Sequence, residues 1–554
     1  MGDRMQGMKE NRGRKRAVLI VGALVYALLT ALGSQIEQSG ATTWSTTLVR
    51  FGIAFPVALA VLALLLEKVM PRMDCVPREE KKPFCTVGAF ALILVCYMPM
   101  LLIEYPGSFQ YDVTMQAFQV ATGRYTQFHP LANTLFLKVC LDAYAVLQSF
   151  EKCALLISGI QMLLVSMCFA LIAASVSRTC SRRAAHFTTA FFALCPYHWI
   201  FASSFVKDVT FGTFFALFAA YMLEFIHFGG LPRGRAAMAV FAGMMACLLR
   251  NNMIYAMAVW VVLLLIFGRR TRRAACLALL VAVLGVGVNQ GLAVLVQAGG
   301  GDAKERLSVP IQQLCRAYRL APECFTESDM VEMDAFFEDQ AYTRYDPTLS
   351  DPTKNKFATD VFLEDKAAFF ALWKRIGVQC PQIYLDAFLN TALPFLYPYQ
   401  RYQGTAPYIE SGVQKGALTM PFGAPDIVQP RRFEALRTWL DENIWATGAR
   451  DIPALRWVFN AGVVIWLMLL SALFAMYTGN WKRFGILLLP ILLWGTYLLG
   501  PVMQGRYLYP FICMLPLLLA VPKEGETERT VGALPQVRET RIVAFSSLRF
   551  PPRT

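Results

Sequence analysis

The residues of this chain that could do chemistry are polar side chains at the ends of long apolar runs. Residues 105–130 carry a single acid, Asp112, and one of only four histidines, His129. Further polar residues stand near the ends of other apolar runs: Lys207, Arg250, Asn251, Arg506 and Tyr507. Ammonium and guanidinium groups hold phosphate, and a carboxylate can accept a proton from a reacting group. One acid with several cations therefore predicts a site for a phosphate-bearing ligand, with Asp112 as the catalytic acid or base and the other residues binding substrate.

The same residues also have structural interpretations. Asp112 stands where a helix could begin, so it could simply cap the amphipathic helix predicted from Val113 to about Thr122, which would end at Gly123. Asp208 is interpreted as a cap of the apolar run that follows it, and the lysine before it could anchor that run at the membrane surface. A histidine before a proline is more often structural than catalytic.

The elements that must position these residues are membrane-spanning helices. The chain has 554 residues, of which 56% are apolar and only 16% charged, and its mean hydropathy is +0.45. A soluble protein of this length usually carries about 25% charged residues. The net charge of +14 does not indicate nucleic-acid binding, because the basic residues cluster in short loops between apolar runs. Anionic lipid head groups are the partner that this distribution favours.

The fold class predicted is an all-α polytopic membrane protein of about 12 transmembrane helices with an external loop domain. The division is a basic cytoplasmic N-terminus (1–16), a transmembrane module (17–297), an external loop domain (298–455), C-terminal transmembrane helices (456–521) and a disordered cytoplasmic tail (522–554). The candidate spans are 17–33, 48–66, 85–103, 153–176, 184–202, 209–228, 236–249, 253–267, 274–297, 456–477, 484–500 and 507–521.

The distribution of basic residues orients this arrangement in the membrane. A cytoplasmic N-terminus makes every inside loop basic, and both termini are then cytoplasmic. The long loops 104–152 and 298–455 lie outside, and the candidate site residues gather on that outer side. This shared side, rather than any single motif, favours a functional site. The expected location is a cell membrane that the chain crosses several times.

Residues 236–267 are predicted to form a hairpin of two short helices. Basic clusters flank the segment at 232–235 and 269–273, and only a hairpin leaves both clusters in the cytoplasm. Each arm would cover about 22 Å of a hydrocarbon core about 30 Å thick. Arg250 and Asn251 at the tip would then lie below the outer surface. A charge at that depth is costly unless it is paired, which makes Arg250 a candidate functional residue.

The sequence contains few motifs that would indicate a cofactor or a disulfide. The sequence has no zinc spacing and no nucleotide-binding loop, so no cofactor is predicted, although a divalent metal is left open. Cys315 and Cys324 are close together in the second outer loop, which makes a disulfide between them conceivable.

Six short segments carry a resemblance to a known class of enzymes. They are YPGSFQYD at 105–112, the amphipathic helix after it, FHP at 128–130, SSFVKD at 203–208, LLRNN at 248–252 and QGRYLYP at 504–510. In these segments the chain resembles the GT-C class of polytopic membrane glycosyltransferases. It is similar to protein O-mannosyltransferases and to the lipid A aminoarabinose transferase, and nearest to an uncharacterised bacterial branch.

The resemblance implies a GT-C-like fold and transfer of a sugar at the outer face of the membrane. The donor would be a polyprenyl-phosphate sugar, and the acceptor a cell-envelope glycan, lipid or protein. By position, Asp112 would be the base, and Lys207, Arg250 and Arg506 would hold the donor phosphate. The chain departs from better-known members, which often carry paired acids, because Val113 follows Asp112.

Two alternatives remain open at this point. A polytopic transporter or lipid-linked sugar flippase without transferase chemistry would also fit about twelve spans, although transporters place ionisable groups near the bilayer midplane. An enzyme like the O-antigen ligases would resemble the chain in its late external loop. Such enzymes are expected to use a histidine there, and residues 298–455 contain none.

Overall fold

Helices form nearly all of the regular structure in the computed structural model, which describes residues 2–73, 83–266, 271–399, 417–445, 449 and 451–519. The described residues all belong to one unit of the chain, Met1–Pro522. The predicted tail at 522–554 lies outside them. Helices prevail because the sequence is a series of long apolar runs, and an apolar run in a membrane must satisfy its backbone hydrogen bonds within itself.

The first three predicted spans correspond to long helices. A turn at Gly40, with a φ of 68°, joins the first two helices, and a π-helical turn at Leu65–Val69 continues the second into a short third one. The helices are α1 (Gly2–Ser39), α2 (Trp44–Leu64), α3 (Met70–Met73) and α4 (Thr86–Ile103).

The first long loop folds into one strand and three helices: β1 (Ser108–Phe109), α5 (Tyr111–Thr122), α6 (Leu131–Asp142) and α7 (Tyr144–Leu147). The predicted amphipathic helix is confirmed as α5. It starts two residues earlier than expected and ends, as expected, at Gly123 in the left-handed conformation. Val113 and Ala117 are its fully buried apolar residues, whereas Ala121 is exposed.

The central part of the chain surrounds one buried helix, α11, which packs against α8, α12 and α25. The predicted span at 184–202 is wrong as a single helix, because Pro196 lacks an N–H and begins a new helix there. Residues 236–267 form two separate helices, α12 and α13, rather than one long helix, as predicted, whereas their arrangement as a hairpin in a membrane stays a prediction. The elements are α8 (Phe150–Thr179), α9 (Arg182–Leu194), α10 (Pro196–Ala202), β2 (Ser204–Phe205), α11 (Lys207–Phe228), α12 (Arg233–Leu249), α13 (Asn252–Ile266) and α14 (Arg272–Leu295).

The second long loop has an apolar core of its own, centred on residues such as Ile311, Leu314, Met333 and Phe369. Its last long helix, α20, also packs against α1. The helices are α15 (Ser308–Leu320), α16 (Glu327–Phe336), α17 (Asp351–Lys354), α18 (Thr359–Glu364), α19 (Lys366–Gln379), α20 (Pro381–Leu396), α21 (Glu434–Leu440) and α22 (Leu455–Val458). Short 3-10 segments lie at Ala303–Arg306, Pro322–Cys324, Glu338–Arg344, Met420–Phe422 and Arg431–Phe433, and a π-helical turn lies at Asp441–Trp445.

The chain returns to apolar helices in α23 (Ala461–Thr478), α24 (Trp481–Tyr497) and α25 (Tyr509–Leu519), the last preceded by a 3-10 turn at Gly505–Leu508. Within the described residues, seven helices are long and apolar enough to cross a membrane: Asn11–Ser39, Trp44–Arg72, Thr86–Ile103, Phe150–Thr179, Lys207–Phe228, Arg272–Leu295 and Ala461–Thr478. Other predicted spans correspond to shorter helices, such as α12 and α24 with 17 residues each and α13 with 15. The count of about twelve spans and the GT-C-like arrangement remain predictions.

Candidate functional site

Two short strands set the geometry of the site. β1 and β2 pair in parallel, with Ser108 opposite Ser204 and Phe109 opposite Phe205. Each strand runs directly into a helix, α5 after β1 and α11 after β2. The pairing therefore places the first turns of α5 and α11 side by side. Gly107 precedes β1 with a φ of 136°, and a Cβ there would lie 1.8 Å from the Ser158 Oγ, so only glycine fits this close approach.

The carboxylate of Asp112, in the first turn of α5, is held between two cations. Its Oδ2 lies 2.7 Å from the Lys207 Nζ and 2.9 Å from the Arg506 Nη1. Burial alone would raise the pKa of Asp112, but the Arg506 guanidinium and the Lys207 ammonium outweigh it and hold that pKa well below its usual range. The N-cap of α5 is Gln110, so the alternative in which Asp112 is the cap residue of this helix is wrong.

His129 joins the same cluster from the segment before α6. Its Nδ1 lies 3.2 Å from the Lys207 Nζ, and its ring is buried. Burial, and then the charge of Lys207, lower the pKa of His129 to about 3. The imidazole is therefore neutral, and Nδ1 accepts from the lysine while Nε2 carries the proton. That Nε2 is buried without a hydrogen-bond partner among the residues that the structure describes.

Arg506 reaches the cluster because α25 starts close against α11. Gly212 permits the contact, since a Cβ there would lie 2.9 Å from the backbone nitrogen of Pro510. The Tyr197 hydroxyl also donates a hydrogen bond to the Gly505 carbonyl, which fixes the turn that carries the arginine. The Arg506 Nη1 contacts the Gln110 Oε1 at 3.2 Å as well as Asp112.

Arg250 forms a second ion pair behind the first. It lies between α12 and α13, and its guanidinium contacts the carboxylate of Asp208, which is fully buried. The guanidinium also lies over the rings of Tyr497 and Tyr507, 4.4 and 4.5 Å from their centroids. The Arg506 Nε approaches the Asp208 Oδ2 at 3.8 Å, which links the two pairs. The prediction that Asp208 caps α11 is wrong, because the N-cap is Val206.

A cavity of about 360 Å³ opens beside this cluster. It is lined by Gln110, Asp112, Met115, Phe128, His129, Glu305, Asp351, Lys354, Asn355, Gln504 and Arg506. Three of the residues predicted from the sequence line it: Asp112, His129 and Arg506. Lys207 adjoins it through Asp112, whereas Arg250, Asn251 and Tyr507 lie outside this lining. Asn251, which was predicted to bind substrate, is exposed in the turn between α12 and α13 and does not line this cavity.

The second long loop supplies one wall of the cavity, which the sequence did not predict. The Lys354 Nζ contacts the Glu305 Oε2 at 2.7 Å and the Asp351 Oδ1 at 2.9 Å. This wall is tied to the segment before Arg506 by a hydrogen bond of 2.9 Å from the Ser350 backbone N–H to the Pro501 carbonyl. No local sequence pattern marks these residues, because only the folded chain brings them to the same cavity as residues of the first loop.

The charges in the site are not evenly distributed. The helical side holds three cations (Lys207, Arg250 and Arg506) with two carboxylates (Asp112 and Asp208), so it carries one excess positive charge. The loop side holds Glu305 and Asp351 with Lys354, so it carries one excess negative charge. Among the described residues, no group of three or more His, Cys, Asp or Glu side chains could hold a metal ion.

Glu104 is a buried acid close in sequence to Asp112, but it has different neighbours. Its carboxyl lies near Arg437, which donates a 2.8 Å hydrogen bond to the carbonyl of Ile103. Burial, with a contribution from the charge of Asp441, raises the pKa of Glu104 to about 7. A raised pKa stabilises the folded protein at low pH, and this stabilisation is lost as pH rises through about 7.

We therefore expect Glu104→Gln to remove part of the pH dependence of stability. The wild-type thermal midpoint should decrease as pH rises from 5 to 8. Titration of Glu104 should contribute up to about 3 kcal/mol to the accompanying loss of unfolding free energy. The variant should show a flatter profile over the same window, because glutamine does not titrate. Differential scanning fluorimetry in detergent measures both, with the exposed Glu364→Gln as the matched control. Equal pH slopes in all three proteins would contradict the assignment.

The fold and the site together indicate a multi-pass helical membrane protein with a charged cavity where its helices meet two long loops. Residues 120–533 match the model of DUF6020, a family of unknown function, and the chain belongs to this family. The match includes His129, Lys207, Arg250 and Arg506 and begins just after Asp112. No curated protein and no solved structure matches the chain.

Proposed function

We propose that this protein is a membrane glycosyltransferase that moves a sugar from a polyprenyl-phosphate donor to an acceptor at the outer face of the membrane. The observation that carries the proposal is the carboxylate of Asp112 between Lys207 and Arg506 at the wall of a cavity. A reaction of this type needs a base for the acceptor and cations for the departing phosphate. Both are present within hydrogen-bond distance of each other.

Exchange of ion-pair partners would make Asp112 a competent base. In the free protein, its low pKa makes the carboxylate a weak proton acceptor. A donor phosphate competes for the same ammonium and guanidinium groups, which releases the carboxylate from part of its pairing. The pKa of Asp112 then rises, because less positive charge stabilises its ionised form. Binding of the donor and activation of the base are thereby coupled.

The rest of the cavity suits the hydroxyl-rich part of a sugar or an acceptor. Its volume of about 360 Å³ is in the range of small-molecule sites. Glu305, Asp351 and Asn355 present carboxylate and amide groups on the wall that the second long loop supplies. Such groups hydrogen-bond hydroxyls or amines, whereas the cation cluster suits a phosphate. The two sides of the cavity match the two chemical ends of the reaction.

Binding of a polyprenyl monophosphate tests the proposal directly. We expect Arg506→Met to weaken binding by about 10- to 100-fold, because it removes a charge-assisted contact to the phosphate. Microscale thermophoresis of the purified protein in nanodiscs measures the affinity. Arg124→Met, which removes an exposed cation from the first long loop, should leave the affinity unchanged. Equal affinities in all three proteins would exclude Arg506 from the phosphate site.

Transport is the alternative function, and proteoliposomes separate the two. The transferase should form a glycosylated product from a labelled polyprenyl-phosphate sugar and an acceptor extract. Counterflow of the labelled lipid with no product would favour a flippase instead. The same preparation serves both measurements.

A further inference from the structure

The second long loop brings together two thiols that are far apart in sequence. The Sγ atoms of Cys324 and Cys380 lie 2.9 Å apart, across 56 residues of chain. Cys324 ends the 3-10 turn Pro322–Cys324, and Cys380 lies between α19 and α20. The disulfide that the sequence suggested joins the wrong partners, because Cys315 is fully buried in α15 and Cys380 is the neighbour of Cys324.

Ordered structure holds both sulfurs in place. The backbone N–H of Cys380 donates to the Ile376 carbonyl at 2.9 Å, and that of Cys324 donates to the Ala321 carbonyl at 3.0 Å. Phe325, next to Cys324, contacts the Tyr318 ring edge-on. The contact between the thiols therefore joins two positions whose backbone is held by hydrogen bonds.

The compartment decides which redox state these thiols take. The basic residues of the chain predict that the loop lies outside the cytoplasm. Thiols outside the cytoplasm are exposed to oxidants, whereas cytoplasmic thiols are kept reduced. Two thiols in contact on the outer side would be oxidised to a cystine.

We infer that Cys324 and Cys380 form a structural disulfide on the outer side of the membrane. The oxidant is a disulfide of a protein or a small molecule. Cys324 is the more exposed thiol, so it attacks the S–S bond of the oxidant first, which forms a mixed disulfide and releases one thiol of the oxidant. Cys380 then attacks the Cys324 sulfur and releases the second thiol of the oxidant. One S–S bond forms within the protein, two S–H bonds are lost, and the oxidant accepts the two electrons and two protons.

The bond would stabilise one wall of the cavity described above. The chain between the two cysteines contains Asp351, Lys354 and Asn355, all of which line the cavity. Closing this segment restricts the unfolded chain and favours the folded loop. The inference concerns the loop itself and stands or falls independently of the transferase proposal.

Peptide mapping of the full-length protein tests the inference without any variant. Cells are treated with N-ethylmaleimide before lysis, and the purified protein is digested with trypsin without reductant. Cys315, Cys324 and Cys380 fall in three different peptides, 307–316, 320–344 and 376–401, and each peptide holds one cysteine. We expect peptide 320–344 linked to peptide 376–401, two hydrogens lighter than their sum. Alkylated thiols at both positions, or a link from 320–344 to 307–316, would overturn the inference.

Thermal stability provides a second readout. Reductant should lower the wild-type midpoint by several degrees, because a long closed loop is opened. Cys380→Ser should show the lowered midpoint with or without reductant. Cys276→Ser, which removes an exposed thiol from α14, should behave like the wild type. A wild-type midpoint that reductant does not change would count against a structural bond.

Discussion

Asp112→Asn is expected to lower the rate of sugar transfer by about 100-fold or more in a protein that still folds. Asparagine has the shape of aspartate and can still accept hydrogen bonds from Lys207 and Arg506, but it cannot take a proton from the acceptor. Arg506 lines the cavity, where an anion from solution can replace the lost charge. The measurement is product formation from a labelled polyprenyl-phosphate sugar, with the thermal midpoint recorded in parallel.

The same variant should bind the donor phosphate at least as tightly as the wild type does. In the wild-type protein, Asp112 competes with the phosphate for Lys207 and Arg506, and the variant removes this competitor. A purely structural Asp112 would produce the opposite pattern, because loss of the ion pairs would disorder the phosphate site and weaken binding. Lost transfer with retained or tighter binding therefore separates a base from a structural residue.

Asp142→Asn provides the control for both measurements. Asp142 is an exposed acid of the same loop that pairs with Lys138 one helical turn away. Its replacement should change neither transfer nor binding, since surface ion pairs contribute little. Transfer by Asp112→Asn at the wild-type rate would remove Asp112 from the chemistry and leave the cation cluster as a binding site only.

Local features of the site could be predicted from sequence because they follow from short-range rules. Gly123 ends α5 since glycine readily adopts the left-handed conformation. The division into α12 and α13 at Arg250 agrees with the basic residues on both sides of the segment, because a single span would leave one of these two clusters outside the cytoplasm. Asp112 was identified as the only acid in its loop segment, and its pairing with Lys207 and Arg506 agrees with their predicted gathering at one end of the spans.

The remaining features depend on contacts that no local rule contains. Two-residue strands such as β1 and β2 are too short to leave a periodic pattern, although they set which residues of α5 and α11 meet. Lys354 reaches the cavity only because its loop folds back onto the segment before Arg506. Asp208 looks like a helix cap in sequence, and only the position of α12 and α13 reveals that Arg250 is its partner.

Arg250→Met tests whether that arginine binds substrate, as the sequence suggested, or supports the fold, as the structure indicates. We expect a loss of about 3–5 kcal/mol in unfolding free energy, because the variant leaves the carboxylate of Asp208 buried without its main partner. A residue that only held a donor phosphate would instead lower affinity and leave stability intact. Urea unfolding in mild detergent, followed by tryptophan fluorescence, measures the difference.

Two further variants identify the cause of the loss. Arg233→Met removes an exposed arginine from the other end of α12 and should leave stability unchanged. The double variant Asp208→Asn/Arg250→Met removes the uncompensated charge together with its partner, so it should recover part of the stability lost in Arg250→Met. Recovery in the double variant places the cost in the buried carboxylate, and its absence would assign the cost to the packing of the guanidinium on Tyr497 and Tyr507. Because Arg506 also approaches Asp208, recovered stability with weakened phosphate binding would mean that the second ion pair positions Arg506 for the first.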